Sequence, residues 1–395
     1  MALPPAQPAY ILRGHEAQIH STTFIRSNTR LVTGDADGWI VVWSLDIKRP
    51  VAVWRAHEAA ILGVAAWGHH NLITHGKDNK LIVWKFSFED EESMSKVLPV
   101  NTPLEARKQP WLLHVLHVNT MNFCSFAQSP THPTPTPESL EELLIAVPNT
   151  LSSETVDIFQ LPSSKRIHTV PNASGLKGGM IMAVSLFFHP TTRNLTVISG
   201  YESGHTSVSQ LSTSTVTPNQ KTTTSQGMWQ TLYLSQPHTQ PVLSLDVSPS
   251  FEYYLTSSAD SLIAKHHIPN TVDSSSLAPK TIQTKHSGQQ SLQMRSDGKI
   301  FATAGWDAKV RVYVSKSMKE VAVLKWHKEG CFAVAFADVE LEAPADAVAE
   351  VEEGKEVVQS FGGLSVKEQR IRKAAKTHWL AAGSKDGKVS LWDIY

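Results

Sequence analysis

The sequence predicts an all-β fold, a seven-bladed WD40 β-propeller closed by pairing of its N-terminal strand with the last blade. Three observations carry that expectation. A phrase recurs: residues 31–43 read LVTGDADGWIVVW, residues 72–84 read LITHGKDNKLIVW and residues 380–392 read LAAGSKDGKVSLW. Each copy alternates apolar residues, breaks at a Gly/Asp/Asn cluster and resumes its alternation, the texture of strand, tight turn and strand. A histidine precedes each copy: His15, His57 and, ahead of a long insertion, His327. Four-stranded units of about 40–45 residues with a Gly-His start and a Trp-Asp-like finish are propeller blades.

Seven such units follow in order. The first holds His15, Asp37 and Trp43, and the second His57, Asp78 and Trp84. The third starts at His117, takes Met121–Phe126 as its innermost strand and ends at Val156–Phe159. The fourth runs from Met182–Phe188 to GYESGHTSV at 200–208 and has lost both the histidine and the tryptophan. The fifth holds His238, Asp260 and His266, the sixth His286, Asp307 and Tyr313, and the seventh His327, Asp386 and Trp392. Four residues after His15, His57, His117, His238 and His327 stand Ile19, Ile61, Met121, Val242 and Cys331, each expected to be the first inward apolar residue of an inner strand. The last unit stops at Tyr395 after its third strand, while one spare strand, Ala9–Leu12, precedes the first. Pairing the two closes the ring and leaves no gap between first and last blades. Residues 1–395 are therefore expected to form one domain.

Composition narrows the function classes. Lys+Arg and Asp+Glu stand at 36 each, which gives no general attraction to nucleic acid or to an anionic membrane. Two distant cysteines, Cys124 and Cys331, offer no disulfide framework and favour a reducing compartment. The start MALPPAQPAY lacks the basic and apolar regions of a signal peptide. No run approaches the roughly 18–20 apolar residues of a membrane span. Phosphate-loop, dinucleotide-binding, C-x-x-C, H-E-x-x-H and G-x-S-x-G patterns do not occur. No catalytic residue, cofactor site or metal site is expected. The pairs His69-His70 and His266-His267 sit on strands, where adjacent side chains point to opposite faces, so each pair offers at most one ligand per side.

The repeat gives the histidines a structural reading. Within a unit the histidine precedes the inner strand, the aspartate sits in the turn and the tryptophan lies on the third strand. A threonine four residues before the aspartate (Thr33, Thr74, Thr256, Thr303) completes a set. Indole N–H, hydroxyl, imidazole and carboxylate can form one buried hydrogen-bond chain that fixes the turn against the blade. The expected members are His15, Thr33, Asp37 and Trp43; His57, Thr74, Asp78 and Trp84; His286, Thr303 and Asp307; and His327, Asp386 and Trp392. Unit seven has Ala382 in the threonine position, and unit six has Tyr313 in the tryptophan position.

Departures from the repeat fall at 87–109, 127–141, 212–228, 269–280 and 338–377. Each is read as a first-to-second or third-to-fourth strand connection, and in an up-and-down blade those connections share one face of the disc. Insertions gathered on one face of a repeat array mark a candidate binding face. The last insertion is polarised. Residues 338–353 hold seven acids (Asp338, Glu340, Glu342, Asp346, Glu350, Glu352, Glu353) and no base, whereas residues 367–376 carry Lys367, Arg370, Arg372, Lys373 and Lys376 against Glu368. Ser365–Lys376 reads as a basic helix with Ser365 as N-cap and Glu368 three residues on. Its five cations are candidate partner contacts; a solvated loop is the alternative. One short basic patch in a neutral protein is a weak sign of nucleic acid.

The segments PAYILRGHEAQIHS at 8–21, RPVAVWRAHE at 49–58, KQPWLLHVLHVNTMNFCSF at 108–126, LIAVPNT at 144–150 and GYESGH at 200–205, together with the 72–84 phrase, carry a resemblance over nearly the whole chain. The chain resembles the ASTRA-associated protein 1 family, fungal WD-repeat proteins related to guanine nucleotide-binding protein β-subunit-like proteins. The resemblance implies a non-catalytic subunit of the ASTRA complex, in the nucleus and also the cytoplasm. It implies association with chromatin remodelling and with maturation of phosphatidylinositol-3-kinase-like kinases. The partners it implies are other ASTRA subunits and kinase-maturation chaperone components, with no direct nucleic acid and no membrane. Two alternatives stand beside it. A G-protein β-like signalling subunit would have an N-terminal coiled-coil helix, whereas this chain enters a strand by residue 9 after a Pro-rich stretch. A ubiquitin-ligase substrate receptor or a propeller enzyme would show a recruitment segment outside the ring or a carboxylate site at its channel.

Overall fold

The computed structural model describes residues 6–101, 107–119, 123–134, 141–173, 175–212, 228–271, 278–339 and 365–394. Among them, one strand, β1 (Tyr10–Arg13), precedes blade one, which is β2 (Ile19–Ile25), β3 (Arg30–Asp35), β4 (Trp39–Ser44) and β5 (Arg49–Arg55). Blade two is β6 (Ile61–Trp67), β7 (Asn71–Gly76), β8 (Lys80–Lys85) and β9 (Trp111–His117), with a short helix α1 (Asp90–Ser93) before β9. Blade three is β10 (Ala127–Pro130), β11 (Leu143–Pro148), β12 (Val156–Leu161) and β13 (Lys165–Val170). Blade four is β14 (Ile181–Phe188), β15 (Leu195–Tyr201), β16 (Thr206–Ser212) and β17 (Met228–Ser235). Blade five is β18 (Val242–Val247), β19 (Tyr253–Ser258), β20 (Leu262–His267) and β21 (Lys280–Gln283). Blade six is β22 (Gln289–Met294), β23 (Ile300–Gly305), β24 (Lys309–Val314) and β25 (Glu320–Lys325). Blade seven begins with β26 (Cys331–Phe336) and helix α2 (Val366–Lys376), then β27 (Trp379–Ser384) and β28 (Lys388–Asp393).

These strands form seven four-stranded antiparallel sheets, and the fold is a seven-bladed propeller. The ring closes as the sequence predicts. In the last sheet, β1 lies outside β28, in register from Tyr10 opposite Leu391 to Arg13 opposite Lys388. The hydrophobic core sits between blades rather than inside one sheet, because each strand alternates its side chains toward two neighbouring blades. Leu12, Ile19, Trp43 and Leu391 pack where the ring closes. Trp54, Trp84 and Phe86 pack between blades one and two, with Trp54 and Trp84 edge to face at 6.2 Å.

In blades one, four and seven close packing against the next blade uses a glycine. A Cβ on Gly34, Gly200 or Gly383 would come within 2.7 Å of Ile61, 2.6 Å of Val242 or 2.4 Å of Ile19, the first apolar residue of the next inner strand. Blade two has His75 at this position, fully buried, with its ring edge-on to Phe126 at 6.0 Å. The imidazole fills the space that the next inner strand uses elsewhere, and blade three departs from the expected register. Its innermost strand is β10, not Met121–Phe126. Phe123–Phe126 is not strand, and Met121 lies outside the described residues. His117 does not open blade three; it ends β9, the outer strand of blade two. Residues 127–130 of the expected 127–141 insertion are thus strand, and the connection begins after Pro130. Much of the 212–228, 269–280 and 338–377 insertions also lies outside the described residues, including most of the acidic run.

Candidate functional site

The buried polar chain takes its full form in blade two. His57 Nδ1 lies 2.8 Å from Asp78, His57 Nε2 2.8 Å from the Thr74 hydroxyl, and Trp84 Nε1 donates to that hydroxyl at 2.8 Å. The indole can only donate, so the hydroxyl accepts from it and donates to Nε2, while Nδ1–H donates to the carboxylate. Burial alone would raise Asp78, but the bond and charge of His57 and the Glu58 amide hold its carboxyl below the ordinary range.

Blade one has the same chain with one different member. His15 Nδ1 pairs with Asp35 at 2.7 Å, His15 Nε2 with Thr33 at 2.7 Å, and Trp43 Nε1 donates to Thr33 at 2.9 Å. The expected Asp37 is exposed, and its backbone N–H donates to Asp35 at 3.0 Å. The reason is steric. Blade two has Gly76 in the place of Asp35, and a Cβ there would lie 2.3 Å from the His57 ring and 2.7 Å from Asp78. Only one carboxylate fits beside the histidine, and in blade one the nearer residue of the GDADG turn occupies that space.

Blades five and seven are rewired around the same logic. In blade five, Thr256 joins His238 at 2.9 Å and His266 at 3.0 Å, and His266 Nδ1 lies 3.1 Å from the Tyr233 hydroxyl. An Nε2–H imidazole at His266 thus does the work of the tryptophan. Burial, with the His238 charge second, pushes its pKa down to about 3 and keeps it neutral. In blade seven, Ser390 supplies the hydroxyl that Ala382 lacks: it meets His327 Nε2 at 2.9 Å and accepts from Trp392 Nε1 at 2.8 Å. Ser390 stands directly opposite Ala382 in the sheet, so the hydroxyl has moved across one strand pair. His327 and Asp386 are 3.5 Å apart.

Blade six departs from the expected set. His286 is partly exposed and 3.6 Å from Asp307, beyond hydrogen-bond reach, and buried Thr303 is not joined to it. Asp307 instead accepts from Arg311 at 3.1 and 2.6 Å. A two-pronged charge-assisted pair is stronger than a neutral imidazole contact. Burial would raise Asp307, but Arg311 holds it low.

The insertion-bearing face has a firm base. Helix α2 begins at the predicted capping box: the Ser365 side chain accepts from the Glu368 amide, and Glu368 accepts from Ser365 N. At its other end Trp379 Nε1 donates to Ala374 O at 2.9 Å, and Asn28 Nδ2 donates to Asp338 O at 2.7 Å and Ala375 O at 3.2 Å. The last-turn carbonyls are therefore satisfied by blades one and seven. Lys367, Arg370, Arg372, Lys373 and Lys376 are all exposed along this anchored helix, whose single acid, Glu368, is engaged in its own cap. Beside it, buried Glu91 on α1 pairs with Arg26 and, at 2.8 Å, with Arg30. The Arg26 guanidinium lies 4.3 Å from the centre of the Phe88 ring. This cluster ties the 87–109 insertion to the first turn of blade one. Sequence reading missed Glu91, because nothing in FEDEES distinguishes the buried acid from its exposed neighbours.

At the centre of the ring a cavity of ≈ 550 Å³ is lined by His20, Phe123, Met182, Leu243, Trp306 and Phe332 among others, with no carboxylate among the described residues. Among the described residues no group of three or more His, Cys, Asp or Glu side chains is placed to hold a metal ion.

Known proteins place the chain. The family described as ASTRA-associated protein 1 matches residues 8–392. A relative in Verticillium alfalfae named ASTRA-associated protein 1 is 51% identical over 98% of this chain and 93% of its own. Relatives of the same name in Pyricularia oryzae (45% identical; 99% of this chain, 98% of theirs) and Schizosaccharomyces pombe (32% identical; 83% and 93%) agree over similarly large shares. This closed propeller, matched by the family over residues 8–392 and by these relatives over 83% to 99% of its length, belongs to the ASTRA-associated protein 1 family.

Proposed function

We propose that this chain is a non-catalytic scaffold subunit of the ASTRA complex. In that role it acts in the nucleus in chromatin remodelling and in maturation and stability of phosphatidylinositol-3-kinase-like kinases. The family match over residues 8–392 carries the reading. The fold supports it in kind: a rigid ring whose polar clusters are consumed in holding turns, and whose elaborations gather on one face. Function nonetheless rests on the site and the family rather than on the ring alone. On that face the exposed cations of α2 contact another subunit.

Affinity purification of the tagged chain from its native cells tests both parts. Recovery of ASTRA subunits and kinase-maturation components is expected. Reversal of Lys367, Arg370, Arg372 and Lys373 to glutamate is expected to reduce that recovery without lowering thermal stability. Purification that brings down none of these components overturns the assignment; full recovery with the reversed helix overturns α2 as the contact.

A further inference from the structure

An outer strand of a blade has one edge with no neighbouring strand, and the unpaired backbone groups there are a template for another chain. Charge guards most of these edges here: β5 carries Arg49 and Arg55, β13 Lys165 and Arg166, β21 Lys280, and β25 Glu320 and Lys325. Part of β5 is also covered, since Val53 N–H donates to Ser95 O at 2.8 Å. The outer strand of blade two is different. β9 reads WLLHVLH, with no acid, no Lys or Arg and no proline. Among the described residues no backbone group outside its sheet bonds to it. Trp111 is 74% exposed and its neighbour Leu112 45%. Two cavities, of ≈ 550 and ≈ 410 Å³, meet at Gln109 and Leu112. β17 is also uncharged, but its exposed Met228 and Leu234 lie toward opposite ends of the strand.

The surrounding charge selects the occupant. Arg55, Lys80, Arg107 and Lys108 border the cavities, and Lys85 stands opposite Trp111 in the sheet. With Lys85, five cations stand against three bordering acids, Glu58, Asp78 and Asp90. A second copy of this chain, paired antiparallel on β9, would bring the Lys85 end of one copy to the Lys80 end of the other and oppose two basic rims. An acidic segment meets no such repulsion.

We propose that the outer edge of β9, with Trp111 and Leu112, takes an extended segment of a partner protein rich in apolar and acidic residues, adding a fifth strand to blade two. Backbone bonds along β9 supply affinity. Apolar side chains of the segment pack on Leu112 and Trp111, which as neighbours on one strand face opposite sides of the blade, and carboxylates meet Lys80 and Arg55 on the Leu112 side and Lys85 on the Trp111 side. This is strand addition to a sheet edge. It stands apart from the ASTRA assignment, which rests on the family match and on helix α2 of blade seven.

The test is selection of a random peptide library displayed on phage against the full chain, with hydrogen exchange on the peptides recovered. Peptides enriched in apolar and acidic residues are expected, and a representative should slow exchange of the β9 amides at least tenfold. Trp111→Ser is expected to weaken that peptide at least tenfold, and Lys85→Glu severalfold, with thermal unfolding of both variants unchanged because both side chains are exposed. Peptides indifferent to Trp111→Ser, or no protection of β9, overturn the site. Trp111-dependent peptides without acids overturn the occupant's chemistry. Concentration-dependent dimerisation in sedimentation, lost in Trp111→Ser, assigns the edge to a second copy and overturns the proposal.

Discussion

Ser390→Ala isolates the polar chain of blade seven in one atom. Ser390 is fully buried, and its hydroxyl serves two nitrogens: it meets His327 Nε2 at 2.9 Å and accepts from Trp392 Nε1 at 2.8 Å. Alanine leaves the packing almost untouched, so the loss is polar. A buried donor or acceptor left without a partner costs about 1–3 kcal/mol, and two such groups give an expected loss of about 2–6 kcal/mol. Unfolding entropy of about 2.1 cal/mol/K per residue over 395 residues is roughly 0.8 kcal/mol/K, so a loss of about 3 kcal/mol lowers the melting temperature by about 4 °C. The register supplies a rescue. Ala382 faces Ser390 as Thr33 faces Val41 in blade one. The double change Ala382→Thr with Ser390→Val therefore rebuilds the blade-one arrangement and should recover most of the loss. Denaturant unfolding and calorimetry of wild type, Ser390→Ala and the double variant read this out. A Ser390→Ala protein within about 0.5 kcal/mol of wild type, the range of an ordinary surface substitution, would refute the reasoning. So would a double variant no more stable than Ser390→Ala.

The other predictions follow the same structure. His57→Ala should destabilise by about 2–4 kcal/mol, because Thr74 and Asp78 lose their shared partner; His286→Ala should stay within about 0.5 kcal/mol, since His286 is partly exposed and outside hydrogen-bond reach of Asp307. Parallel melting curves separate the two. Glu91→Ala leaves Arg26 buried without its carboxylate, and removing one partner of a buried pair costs about 3–5 kcal/mol; faster proteolysis within 87–109 should accompany the loss. Asp246 accepts from Met294 N at 2.6 Å, and burial pushes its pKa up to about 6. The folded state then holds the proton more tightly than the unfolded chain, whose aspartates titrate near about 3.9. Wild type therefore loses stability relative to Asp246→Asn as pH rises from about 4 to about 6, with no further change above. Melting temperatures of the pair that stay parallel from pH 4 to 7 would refute it.

Blade count, ring closure and the N-capped basic helix were legible because each is written in local pattern: alternation, turn residues and a Ser-x-x-Glu spacing. The blade-two network was legible in full because Gly76 leaves room for Asp78 alone. Blade one misled because its GDADG turn offers two aspartates, and spacing cannot say which carboxylate reaches His15. Blade six misled because Arg311, four residues from Asp307, is invisible to a pattern built on histidine. The inner strand of blade three was misplaced because one bulky residue on the neighbouring blade, His75, occupies the space that the repeat assumes is empty.

By itself the sequence determined the ring. Period-two alternation interrupted by turn residues specifies strands and hairpins, and repetition of a unit that cannot bury its own face obliges the copies to stack until the circle closes. Tertiary structure alone decided which side chains complete each buried network, where blade three enters the ring, and which strands form the outer edges of the blades. Those outcomes depend on contacts between residues far apart in the chain: Ser390 with His327, His75 with Phe126, Glu91 with Arg26. Their chemistry is written locally, but their meeting is set by how the blades pack.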